Sequence, residues 1–151
     1  AEEQRLRQPE RAVADLRRYL KLNPNSAGGM NALGYTMLSQ PSADLDEAFG
    51  LIQAAYQIEP ESAAINDSMG WAYFKKGDPQ AALPYLQYAF EQYPDPEVAA
   101  HLGEVLWATG EHEQARAVFA KGLAGEGNMA VLRETIKRLG VRLPAASNAK
   151  K

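Results

Sequence analysis

Apolar residues recur at helical spacing through most of the chain, interrupted at short intervals by turns rich in Gly, Pro, Asn or Asp. Met69, Gly70 and Tyr73 share one stripe; Lys76-Gly77-Asp78 then breaks the pattern; Ala82, Leu86 and Ala89, with Tyr85 alongside, share a second. Gly77 can take the left-handed conformation that ends a helix, Asp78 can cap the next one, and Pro79 suits its first turn. This pattern predicts a helical hairpin. Extended along the chain, it predicts helices near 9–22, 26–39, 44–58, 61–76, 79–92, 96–109, 112–124 and 128–139. Pro84 falls inside the fifth, where it removes a backbone donor, and a mild kink without a break is expected.

The hairpin is repeated. A small residue in an apolar helix recurs as Gly34, Gly70 and Gly103, 36 and 33 residues apart. Alanine in the following helix recurs as Ala12, Ala48, Ala82 and Ala115, and a helix-ending proline as Pro24, Pro60 and Pro94. Three markers moving in step define a unit of about 34 residues, the signature of a solenoid. Gly70 and Ala82 lack bulk, so paired helices can approach closely, with Tyr73 and Leu86 filling the space beside them. Thr109-Gly110-Glu111 repeats the turn; Ser39 to Asp44 replaces it with a loop two residues longer.

These residues resemble the tetratricopeptide repeat. Met69-Gly70, Tyr73, Ala82, Leu86, Ala89 and Pro94 stand at that family's signature positions, as do Leu33-Gly34, Ala48, Ile52, Ala55 and Pro60. The third unit offers Leu102-Gly103, Ala115, Phe119 and Gly122, without a closing proline. The resemblance covers roughly Pro9 to Leu123. It implies an all-α fold, a right-handed superhelical stack of about three full hairpin repeats after a half repeat, closed by a capping helix. The expected division is 1–24 for the end of a repeat whose first helix lies upstream, then 25–60, 61–94 and 95–124 for three repeats. A cap follows at 128–140, with Met129, Leu132, Ile136 and Leu139 covering the last hairpin, then a disordered tail at 141–151.

Composition narrows the function. With 16 Lys+Arg against 19 Asp+Glu the net charge is −3, and no clustered basic stripe of the kind a nucleic-acid binder needs is present. The absence of cysteine excludes disulfides, thiolate zinc sites and a Cys nucleophile. No apolar run approaches the roughly 18–20 residues of a membrane span. Of the two histidines, His101 and His112, each is expected to have an ordinary structural or surface role, and His112-Glu113-Gln114 lacks the second His of a zinc-protease helix. Gly125-Glu126-Gly127-Asn128 follows no strand and is not read as a phosphate loop. No acid–base pair, nucleophile or cofactor motif emerges, so no enzyme and no cofactor is expected.

A partner-binding groove is expected instead. First helices of successive hairpins line a concave wall, and the stripes predicted to face it contain Asn31, Tyr35 and Leu38; Asp67, Trp71, Phe74 and Lys75; and Glu104 and Trp107. Tyr35 and Trp71 are expected to meet a partner, because exposed aromatics are favoured interface anchors. Trp107 and Phe74 could equally pack against the next hairpin. Asn31, Asp67 and Glu104 could fix a peptide backbone or meet a basic side chain. Relatives that clamp acidic chaperone tails use Lys, Arg and Asn; the carboxylates here, with Lys75 the only base, would repel such a tail.

Asn31-Ala-Leu-Gly-Tyr-Thr, Asp67-Ser-Met-Gly-Trp-Ala-Tyr-Phe and Asp95 to Trp107 are also similar to the C-terminal repeats of long tetratricopeptide proteins of Gram-negative bacteria, outer-membrane lipoproteins among them. One such lipoprotein is an adaptor for a periplasmic carboxyl-terminal processing protease acting on cell-wall hydrolases. That resemblance implies those two partners and an envelope location, with the cytoplasm as the alternative. A second functional class remains open: a structural segment that extends or dimerises a longer solenoid through the flank Val13, Leu16 and Leu20 of the first helix.

Overall fold

The computed structural model describes residues 2–41 and 44–144, with side chains from Gln8 onward. Eight helices occur among the described residues: α1 Glu2–Leu22, α2 Ala27–Leu38, α3 Leu45–Ile58, α4 Ala63–Lys75, α5 Pro79–Gln92, α6 Pro96–Ala108, α7 His112–Ala124 and α8 Ala130–Leu139. α2/α3, α4/α5 and α6/α7 are antiparallel hairpins, each stacked on the next, with α1 leading and α8 closing over α6 and α7. α1 begins earlier than the expected residue 9 and runs through Pro9, while α5 passes Pro84 unbroken. No described helix is long and apolar enough to cross a membrane.

Local chemistry sets the ends. Ser26, Asp44, Ser62, Asp78 and Asp95 each accept a backbone N–H from the first turn of the helix they precede. Gly77 has φ +94°, Gly77 N–H donates to Phe74 O, and Asp78 N–H donates to Tyr73 O. This closes α4 in a Schellman turn that only a residue without Cβ adopts cheaply.

The hairpin seam is tighter than helices with side chains could make it. A Cβ on Gly34 would lie 2.6 Å from Ile52 and 2.8 Å from the Ala48 carbonyl oxygen. On Gly70 it would meet Leu86 at 2.5 Å and the Ala82 oxygen at 2.9 Å, and on Gly103 the Phe119 ring at 2.2 Å. All three recurrent glycines thus face the large residue of the second helix, and Gly34 and Gly70 also face the alanine one turn before it. Ala48, Ile52, Ala82, Leu86, Ala115 and Phe119 are fully buried by this approach.

Successive valleys between second helices differ. Between α3 and α5, Tyr85 lies edge-on to Tyr56 at 5.7 Å and stacks on Tyr73 at 5.6 Å, and Tyr88 donates to the Glu61 carbonyl. Between α1 and α3, Gly50, Leu51 and Ala54 occupy the corresponding positions, leaving a mainly apolar furrow of about 630 Å³ over Met30 and Leu33. Val13, Leu16 and Leu20 of α1 pack into the α2/α3 core and do not form the free flank expected of them; among the described side chains of α1, the exposed large apolar groups are Tyr19 and Leu22.

At the other end Leu132 is fully buried, with Met129, Ile136 and Leu139 packed around it, as the cap requires. Packing continues past residue 140, contrary to a tail starting at 141. Gly140 turns left-handed, Val141 N–H returns to Ile136 O, and Val141 is buried. The rest of the expected disordered tail, 145–151, lies outside the described residues.

Two stability measurements check this account. Gly70→Ala should lose about 1–3 kcal/mol in urea unfolding, because a carbonyl oxygen cannot swing away, whereas Gly50→Ala, with nothing near its Cβ, should gain about 0.5–1 kcal/mol. Leu132→Ala should cost about 2–5 kcal/mol by opening the capped end of the core.

Candidate functional site

The inner wall is built by α2, α4 and α6, and its centre is a polar chain crossing all three. Tyr35 (α2) donates its hydroxyl proton to Glu97 Oε2 (α6), while the same phenol oxygen lies 3.2 Å from His101 Nε2. His101 Nδ1 is 2.9 Å from Asp67 Oδ1 (α4). His101 is 4% exposed and Asp67 8%, and Trp71 stacks on the imidazole at 4.1 Å with 20° between planes. Glu97 and His101 sit one helical turn apart on α6, which aims both toward α2 and α4.

Burial pulls the His101 pKa down, but the charge and hydrogen bond of Asp67, aided by Glu97 and Glu104, overcome it and hold the imidazole above its usual range. Burial, then the hydrogen bond and charge of Glu97, push the Tyr35 phenol far up, so it stays a neutral donor.

Beside this chain lies a cavity of about 230 Å³, between the N-terminal turns of α4 and α6 and Tyr35 of α2. Asp67, Asp95 and Glu97 bring three carboxylates to it and Tyr35 and Tyr93 two phenols; no basic side chain lines it. Tyr93 stands 63% exposed at the rim. Ala63, Ala64 and Val98 supply the apolar floor.

The expected groove residues divide. Asp67, Tyr35 and Trp71 meet at the polar chain, Phe74 lies 5.3 Å from Trp71, and Lys75 Nζ lies 5.3 Å over the Trp71 ring. Asn31 is half-buried one turn before Tyr35, its Oδ1 buried without a partner. Leu38 does not belong to the wall: at 4% exposed, at the last turn of α2, it points into the core. Glu104 is bound by Arg138 of α8 through contacts of 3.0 and 2.8 Å, so its charge is already answered within the chain. Trp107 is covered by His112, stacked at 3.9 Å, with the Arg116 guanidinium 5.4 Å away.

The sequence pattern places Glu97 on the wall-facing stripe of the third repeat but gives no binding or network role to His101, Asp95 or Tyr93. His101 stands one position off the predicted groove stripe and bonds to residues 34 and 66 positions away. The available signal was the one-repeat spacing of Asp67 and His101 combined with Glu97 one turn before His101.

A family profile described as tetratricopeptide repeat matches residues 2–63 and 68–128. The TPR repeat-containing protein PA4667 of Pseudomonas aeruginosa is 46% identical over 125 residues, 83% of this chain and 21% of that protein. The chain therefore spans about a fifth of that relative's length. Among solved structures, TTC0263, a TPR protein of Thermus thermophilus, superposes with a TM-score of 0.73 at 19% identity, covering 92% of this chain and 77% of that one. PilF of Pseudomonas aeruginosa follows the same path with a TM-score of 0.64 at 21% identity over 88% and 62%. At such identities the likeness is one of fold. Tetratricopeptide repeats are non-catalytic scaffolds for contact between proteins. With its profile matched over both stretches and a relative at 46% identity, the chain belongs to the tetratricopeptide repeat family.

Proposed function

We propose that the chain is the partner-binding module of an adaptor, not an enzyme, and that it takes an extended partner segment along the wall of α2, α4 and α6. The observation that carries this reading is the cavity where Asp67, Asp95 and Glu97 converge with Tyr35 and Tyr93 and no base lines the walls. Such a cavity suits a lysine or arginine side chain: the carboxylates supply charge, the phenols flank the aliphatic stem, and the enclosed walls strengthen the attraction relative to open water. Phe74 and Trp71, half-buried along α4, offer apolar contact to the neighbouring residues of the same segment.

The partner we propose is a carboxyl-terminal processing protease of the bacterial envelope, together with its cell-wall hydrolase substrates. The whole adaptor would be held at the outer membrane and face the periplasm. Support comes from the similarity of the Asn31, Asp67 and Asp95 stretches to envelope adaptors of this family and from the close relation to a Pseudomonas aeruginosa repeat protein. A second reading, association with further helices or a second copy through α1, is favoured by the apolar furrow between α1 and α3 and by Leu22, 78% exposed at the end of α1. Sedimentation decides it: a concentration-dependent dimer abolished by Leu22→Glu is expected on that reading alone.

Ala64 is exposed and borders the cavity without taking part in the hydrogen-bonded chain. Ala64→Arg should place an internal guanidinium among the carboxylates and weaken capture of the purified protease or hydrolase at least about tenfold, or about 1.4 kcal/mol. Ala64→Ser should leave it unchanged. Equal capture by both variants, with helicity intact, would sink the groove assignment.

A further inference from the structure

We propose that Asp67, His101, Tyr35 and Glu97 form a proton-dependent tie between three consecutive repeats, built around a doubly protonated His101, that sets the spacing of the groove wall. As regulation of the groove this rests on the reading above; the tie itself is a property of the free chain.

Tyr35 has one hydroxyl proton, and Glu97 receives it. The phenol oxygen can therefore only accept from His101 Nε2, 3.2 Å away, which requires a proton on Nε2. On the other side, an ionised Asp67 can only accept, so the 2.9 Å contact requires a proton on Nδ1 as well. With Asp67 and Glu97 both ionised, both nitrogens donate, and the ring is an imidazolium. Its charge lies between two carboxylates and against the Trp71 face, the arrangement that compensates a buried cation.

Every packed element contributes to that field. α2 presents Tyr35, and α4 presents Asp67 and Trp71, with Lys75 above the Trp71 ring. α6 itself supplies Glu97 and Glu104; Arg138 of α8 answers Glu104, and Asp95 acts on the Tyr35 end. The carboxylates hold the native imidazole above its unfolded value of about 6.5. The sign follows: the stabilisation is complete below about pH 6.5 and disappears as pH rises through the higher native midpoint. Once Nε2 loses its proton to solvent, the single Tyr35 proton has two competing acceptors, Nε2 and Glu97. One of them is left unserved, and the bond chain from α2 through α6 to α4 is cut.

The test is an NMR titration of the ring nitrogens and carbons of His101 in the whole chain. The expected result is two ring N–H protons at pH 6, one transition above pH 6.5, and Tyr35 and Asp67 backbone signals shifting at that same midpoint. Glu97→Gln keeps an acceptor for Tyr35 but removes the charge, and should move the midpoint down. A singly protonated ring at pH 6 would overturn the proposal, as would a His101 transition that the Tyr35 signals ignore. The wild-type titration decides even if the variant fails to fold. It is independent of partner capture by Ala64→Arg, so loss of the groove reading leaves the tie standing, and the converse holds.

Discussion

Everything in this fold depends on how closely the two helices of a hairpin can approach. At each seam the backbone of a glycine in the first helix rests against the large residue of the second, and in the first two also against an alanine carbonyl, leaving no room for even one methyl group. That contact fixes the angle and depth of each hairpin, which in turn fixes where the first helices stand relative to one another. Three copies of one steric constraint bring the first helices to the inner wall, and the bonds among Tyr35, Glu97, His101 and Asp67 then link them there. The same architecture occurs at 19% identity in a thermophile's repeat protein.

On that wall, the side chains that line the cavity also bond the repeats to one another. A buried histidine flanked by carboxylates contributes little if its charge is unpaired and a good deal if every proton has an acceptor. Here the acceptors come from three different repeats. A solenoid normally gains its stability from neighbours alone, yet Tyr35 reaches past the second repeat to Glu97 and His101 in the third. This second-neighbour link joins the first and third repeats directly, which the hairpin seams do not do. Asp67 and Glu97 of this polar chain also line the adjoining cavity, where Asp95 joins them.

What could be read from the sequence follows the range of the interactions. Hairpin turns, helix caps and the glycine–alanine seam are local or recur at one period, so Gly77, Asp78, Gly70 and Ala82 announced themselves. The cap was legible because Met129, Leu132, Ile136 and Leu139 keep a helical stripe. Residues whose role depends on a distant element were not. His101 faces α2 and α4, one position away from the stripe that periodicity marks. Glu104 looks free until α8, after a chain break at Gly125–Asn128, swings Arg138 onto it. Leu38 shares the spacing of the wall residues but sits in the last turn of α2, inside the core. Val141 joins the core because a left-handed glycine reverses the chain, and a short polar tail offers little hint of it.

The two unlike valleys along the outer surface differ in what they offer a neighbour. Between α3 and α5 the tyrosines pack on one another beside a cavity of about 370 Å³ with partly polar walls, whereas the furrow between α1 and α3 is mainly apolar, with Arg17 of α1 held by Glu47 of α3 at its edge. Taking apolar surface out of water is favourable, so the α1/α3 valley is the one with more to gain from being covered.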